Sequence, residues 1–127
     1  MTDPGWVLQH DVCLQSLNTF GVAVRAPRLL TVNDAHALAA ALSHPEVSGS
    51  PLLPLGSGSN LLFADHPQAT VLRMGNDTAQ IIEHRADYAI VRAGAAMPWH
   101  SLVMWTLEQG LSGLENLALI PGTCGAA

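Results

Sequence analysis

The pentapeptide Gly56-Ser57-Gly58-Ser59-Asn60 stands between two apolar runs, Leu52 to Leu55 and Leu61 to Ala64, and this limits how the chain can pass through the point. A buried strand must give way to a loop nearly free of side chains and then return to the core. Gly56 and Gly58 tolerate positive φ and let successive N–H groups point into one concavity, an arrangement suited to phosphate oxygens. Ser57, Ser59 and Asn60 add neutral donors at its rim. A Walker A loop is excluded, because it needs a lysine beside the phosphates and all five basic side chains here are arginines. A Rossmann fingerprint needs a third glycine where Leu61 stands, and a helix where a strand-like run follows. On these residues alone, a ligand loop and a plain tight turn are both open.

A chain of 127 residues can form one ordinary domain or two small lobes. Its composition, 49 % hydrophobic and 12 % charged, is more apolar than that of a typical soluble domain, so some apolar surface is expected to meet another domain, more chain or a second copy. The net charge of −5 argues against nucleic acid and anionic membrane surfaces, since neither polyanion would find a basic patch. Small molecules are the expected partners. No apolar run approaches bilayer length and Met1 to Gly5 carries no basic region leading into an apolar one, so the expected location is cytoplasmic. Cys13 and Cys124 lie far apart in sequence and outside any metal-ligand spacing; no metal site is expected, and a disulfide is left open.

Taken in order, residues 1 to 12 are assigned no fixed structure. Val22 to Ala26 alternates like a strand, Pro27 is expected to interrupt it, and Leu29 to Val32 to resume it. Asn33 or Asp34 offers an N-cap for a helix over Ala35 to Leu42. Thr70 to Met74 reads as a strand, and Ala79 to His84 with Tyr88 to Ala93 as an antiparallel hairpin. Trp99, Leu102, Val103, Thr106 and Leu107 recur at helical spacing after Pro98, and Gly110 falls at the position following the helix. His100 reads either as a base beside a cofactor or, more simply, as a half-exposed side chain at the helix start. Arg25, Arg73 and Arg92 are expected to be solvated or paired with carboxylates. After Pro121, Gly122 and Gly125 again allow close backbone approach.

Four of these segments, in this order, resemble the N-terminal FAD-binding part of the UDP-N-acetylenolpyruvoylglucosamine reductase family, also called UDP-N-acetylmuramate dehydrogenases. They are Asn18-Thr19-Phe20-Gly21, Leu55 to Leu62, Gly94-Ala95 followed by Trp99-His100 and Leu102-Val103, and Gly113 to Ala126; the resemblance runs from about residue 14 to the end. It implies an α+β fold of the vanillyl-alcohol-oxidase (PCMH) type, in which two small α+β lobes hold the flavin, here truncated. Residues 1–67 would form the first lobe and 68–127 the opening part of the second, with the substrate domain absent from this chain. The implied function is flavin-dependent reduction of UDP-N-acetylglucosamine enolpyruvate to UDP-N-acetylmuramate for peptidoglycan, with FAD as cofactor and NADPH as hydride donor.

Carried over by motif, Gly56, Ser57, Gly58, Ser59 and Asn60 would contact the FAD pyrophosphate. Pro121, Gly122, Thr123, Gly125 and Ala126 would lie along the ribityl chain and isoalloxazine. No catalytic residue of the family falls within these 127 residues, so the chain alone is expected to bind the cofactor poorly and turn nothing over, and its uncovered apolar faces point to self-association, partial disorder or a piece of a larger protein. A different class of reading is a non-catalytic nucleotide-binding or interaction module. A hydrolase built from Ser57 or Ser59 with His100 and Asp65 is disfavoured, because Gly-Ser-Gly-Ser-Asn before a strand is not a nucleophile elbow.

Overall fold

A computed structural model describes residues 4–127, which divide into two compact units, one ending at Asn76 and the other comprising Asp77–Ala127. The division falls later than the boundary expected at 67/68. The reason is that Thr70–Met74 is hydrogen-bonded into the middle of the first unit's sheet.

In the first unit, β1 (Trp6–Cys13), β2 (Arg25–Val32), β3 (Leu52–Pro54) and β4 (Thr70–Met74) form one sheet in the order β1-β2-β4-β3. β1 runs antiparallel to β2, whereas β4 is parallel to both its neighbours. Side chains alternate across a strand, so each face has its own core. Leu29 and Leu53 are both register partners of Val71, and they share one face with Leu14, Val24, Ala26, Leu55 and Phe63. Leu30, the partner of Leu72, lies on the other with Val32, Ala41 and Val47. Arg28 ties the sheet laterally, its Nε donating to Thr70 Oγ1 at 2.9 Å and its Nη2 to Ser50 Oγ at 2.8 Å.

Three local expectations are corrected. From Trp6 onward the N-terminal segment is a strand, not an unassigned stretch; residues 1–3 of that stretch lie outside the described residues. Pro27 does not interrupt β2. The β1–β2 register pairs His10 with Arg28 and Val12 with Ala26 but omits Asp11 with Pro27, and Asp11 there has φ 51°. A proline lacks the N–H that the ladder would use, and the partner strand absorbs the mismatch. The apolar run after Asn60 is irregular rather than a strand: Phe63 is buried and Leu62 is 66 % exposed, but neither joins a ladder.

The helix over 35–42 begins as a 3-10 turn (Ala35–Ala37) and continues as α1 (Leu38–Leu42). Asp34 caps it, its Oδ1 accepting from the His36 N–H at 2.9 Å. Asp34→Ala is expected to lower the unfolding free energy by about 0.5–2 kcal/mol, seen as a lower urea midpoint at unchanged slope.

The second unit contains the hairpin β5 (Ala79–His84) and β6 (Ala89–Ala93), then α2 (Trp99–Glu108) and two 3-10 turns, Glu115–Leu117 and Cys124–Ala126. The hairpin is antiparallel with a register shift between Ile81 and Glu83. Pro98 sits at the N-cap of α2, one position before the first helical residue. At the other end the Gly110 N–H donates to Leu107 O and the Leu111 N–H to Thr106 O, and Gly110 has φ 72°, which together make a Schellman cap. Leu102, Val103 and Thr106 are buried, as the stripe requires, while Leu107 is 43 % exposed. At 100° per residue Leu107 lies roughly 90° from the centre of that stripe, so it falls at the edge.

Candidate backbone site for a dinucleotide

The Gly56 to Asn60 loop starts where β3 ends. The Leu55 N–H donates to Leu72 O at 2.8 Å, and the chain then leaves the sheet. Gly56, Ser57 and Asn60 are exposed, Ser59 is half-buried and Gly58 is buried. Of the two loop glycines only Gly58 takes positive φ, at 66°. A Cβ on it would stand 2.3 Å from Leu17 O and 2.7 Å from Asn18 Cα, so no side chain fits. Gly58 O accepts from the Thr19 N–H at 3.0 Å. Among the described residues, the N–H groups of Gly56, Ser57, Gly58, Ser59 and Asn60 donate to no protein acceptor. Five consecutive unspent donors on a loop held by its neighbours can receive an oxyanion without a cationic side chain.

The segment around Pro121 is built differently. The Trp99 N–H donates to Gly122 O at 3.0 Å, the Cys124 N–H to Met97 O at 2.9 Å and the Gly125 N–H to Ala95 O at 3.0 Å, pinning it along 95–99. A Cβ at Gly125 would lie 2.8 Å from Ala95 Cβ and 3.1 Å from Ala95 O. The Ala126 N–H is also spent, on Thr123 O at 2.9 Å. Among the described residues, Ile120, Gly122 and Thr123 keep N–H groups without a protein acceptor. Gly122 and Thr123 can therefore donate to a ligand, whereas Pro121, Gly125 and Ala126 can offer only surface and carbonyl oxygens.

Upstream, the Leu119 N–H donates to His100 Nδ1 at 3.3 Å, and Trp99 Nε1–H donates to Leu117 O at 2.9 Å. His100 is thus half-buried and engaged in holding this segment. Leu119 is 78 % exposed with φ 64°, a conformation uncommon for a branched side chain. The Glu115 carboxylate accepts from backbone N–H groups, first its own and then that of Gly113, which holds its pKa below the ordinary value. Burial pushes the Cys124 thiol upward, and both cysteines are free.

One arginine meets the expectation of pairing with a carboxylate. Arg25 pairs with Asp11 at 2.7 Å, as an ordinary exposed ion pair. Arg73, by contrast, has a buried Nε with no acceptor among the described residues. A cleft of about 450 Å³ in the second unit is lined by Tyr88, Val91, Thr106, Leu111 and Leu114 among others, and none of the predicted site residues lines it. Among the described residues, no helix is long and apolar enough to cross a membrane.

The family model described as FAD binding domain matches residues 26–127. This chain belongs to the FAD binding domain family. The α+β FAD-binding fold expected from the motifs is the fold found, and FAD is the cofactor the family assignment gives. A UDP-N-acetylenolpyruvoylglucosamine reductase of Xylella fastidiosa (strain M12) is 55 % identical over 123 residues, covering 97 % of this chain and 35 % of that relative. One from Xanthomonas euvesicatoria pv. vesicatoria is 57 % identical over 122 residues, covering 96 % and 35 %. The crystal structure of UDP-N-acetylenolpyruvylglucosamine reductase from Thermus caldophilus superposes with a TM-score of 0.69 at 26 % identity, over 96 % of this chain and 41 % of that one. This FAD binding domain chain thus spans about a third of the length of the curated relatives it matches.

Proposed function

We propose that this chain is the FAD-holding part of a cytoplasmic flavin reductase that uses NADPH to reduce UDP-N-acetylglucosamine enolpyruvate to UDP-N-acetylmuramate. The relatives' names support the reductase activity and its UDP-sugar substrate. The observation that carries the cofactor assignment is the run of five unspent amides from Gly56 to Asn60, set on a loop where Gly58 has no space for a side chain. Gly56, Ser57, Gly58, Ser59 and Asn60 would lie at the pyrophosphate, and Pro121, Gly122, Thr123, Gly125 and Ala126 along the ribityl chain and ring. When bound, FAD would supply hydride acceptance and delivery. The residues of this chain bind and orient it, and the catalytic groups for the sugar substrate come from elsewhere in the polypeptide.

The donor set is neutral, so its electrostatics differ from those of a lysine-based phosphate site. Amide dipoles act at hydrogen-bond range, while the net charge of −5 repels a dinucleotide at longer range. Titration with FAD should give saturable quenching of flavin fluorescence, and added salt should leave the affinity unchanged or raise it. Absence of quenching at high protein concentration would favour a non-catalytic interaction module or an incomplete site, and repeating the titration on a longer polypeptide would separate the two. A steep loss of affinity with salt would place the pyrophosphate on arginines instead. Self-association is expected as well, since Ile82, Ile90, Met104 and Leu117 of the second unit are exposed; sedimentation at increasing concentration measures it.

A further inference from the structure

The Asn18 side chain is buried at 6 % exposure and belongs to none of the predicted ligand contacts, although its backbone lies beside one of them, Gly58. Its Nδ2 donates to Leu14 O at 2.8 Å and to Val22 O at 3.1 Å, and its Oδ1 accepts from the Val22 N–H at 3.0 Å. One amide thereby satisfies three main-chain groups and closes residues 18 to 22 into a fixed turn. The Gly21 N–H completes that turn by donating to Asn18 O at 3.1 Å.

Thr19 then occupies the second position of a four-residue turn, and its N–H, facing outward from the turn, donates to Gly58 O at 3.0 Å. All described peptides are trans, and in a planar trans peptide the carbonyl and the following N–H point in opposite directions. A Gly58 carbonyl held by Thr19 therefore aims the Ser59 N–H away from the turn. That N–H is one of the donors without a protein acceptor. The same contact seats Gly58 against Leu17 O, where any Cβ would collide.

We propose that Asn18 is a positioning residue for the pyrophosphate. It fixes the 18–22 turn, the Thr19 N–H of that turn orients the Gly58 peptide, and the Gly58 peptide presents the Ser59 N–H to the ligand. The proposal rests on the FAD assignment above and adds to it a residue that touches no cofactor atom.

Thr19→Pro is the sharpest test. Proline is favoured at the second position of such turns, and Asn18, with φ −141° and ψ 143°, already has the extended conformation a following proline requires. The substitution keeps the bonds of Asn18 and puts a ring carbon where the hydrogen to Gly58 O lies. The experiment uses the complete polypeptide that carries this chain, stripped of flavin, at a temperature where circular dichroism shows it folded. Dissociation constants are measured for FAD, ADP and riboflavin in wild type, Thr19→Pro and Asn18→Ala. The expected result is a loss of about tenfold or more for FAD and ADP in both variants with riboflavin binding unchanged, which is about 1.4 kcal/mol at the pyrophosphate. Equal weakening of riboflavin would mean a general structural role and overturn the proposal, as would unchanged ADP affinity in Thr19→Pro. Should wild type itself bind neither FAD nor ADP, the FAD assignment falls first, which separates the two failures. If Asn18→Ala does not fold, Thr19→Pro alone decides.

Discussion

Replacing Gly58 by alanine is expected to weaken FAD binding at least about a hundredfold, or roughly 2.7 kcal/mol, and to lower the stability of the first unit as well. Two effects combine. At φ 66° an alanine is strained by about 1 kcal/mol, and its Cβ would stand 2.3 Å from Leu17 O, a backbone atom that cannot swing aside. The loop must retreat by about an ångström, and misplacement on that scale is enough to cost two orders of magnitude at a ligand contact. Gly49→Ala is the matched control. Gly49 also has positive φ, at 78°, but a Cβ there meets nothing within 4 Å. It should show the strain in the unfolding midpoint and leave the flavin affinity alone. Near-equal affinities for the two variants would mean that the contact with Leu17 does not set the loop.

Leu30→Ala should be the most damaging single truncation of the first unit, costing about 2–5 kcal/mol. Leu30 is wholly buried, pairs with Leu8 on one side and Leu72 on the other, and packs with Val32, Ala41 and Val47. These neighbours come from three strands, from α1 and from the turn after it, which restricts how far the site can collapse after the side chain is removed. Small domains hold only about 5–15 kcal/mol in reserve, so a loss of this size should be plain in urea unfolding followed by circular dichroism. Leu107→Ala, at the exposed edge of the α2 stripe, should stay within about 1 kcal/mol. If the two losses were equal, Leu30 would not be a central member of the core on its face of the sheet.

What the sequence revealed depends on how local the cause was. The α2 stripe and its Gly110 cap are short-range patterns, and so are the 79–93 hairpin and the Asp34 cap; all were readable. β1 was not, because Trp6 and Leu8 pack on one core and Val12 on the other, while Val7, Gln9, His10 and Asp11 are exposed, so the inward residues set no single period. Pro27 misled for the opposite reason: its local rule is sound, but a distant residue, Asp11, absorbs the mismatch. The small-residue loop was visible as a ligand candidate from composition alone. That Gly58 needs its missing side chain because of Leu17, and that Gly125 needs it because of Ala95, depends on contacts between segments far apart in the chain. The Asn18 to Gly21 segment was legible as a family motif; the bond from Thr19 to Gly58 was not.

β3 and β4 lie side by side and parallel, so the stretch joining them, residues 55–69, has to travel back across the sheet rather than turn in place. It is anchored at one end by the Leu55 bond to Leu72 and at the other by the Thr70 bond to Pro51, with Phe63 sunk into the core between them. A connection fastened at both ends and weighted in the middle has already given up its freedom during folding. Capturing a cofactor then demands little further ordering, which favours long residence once the nucleotide has settled.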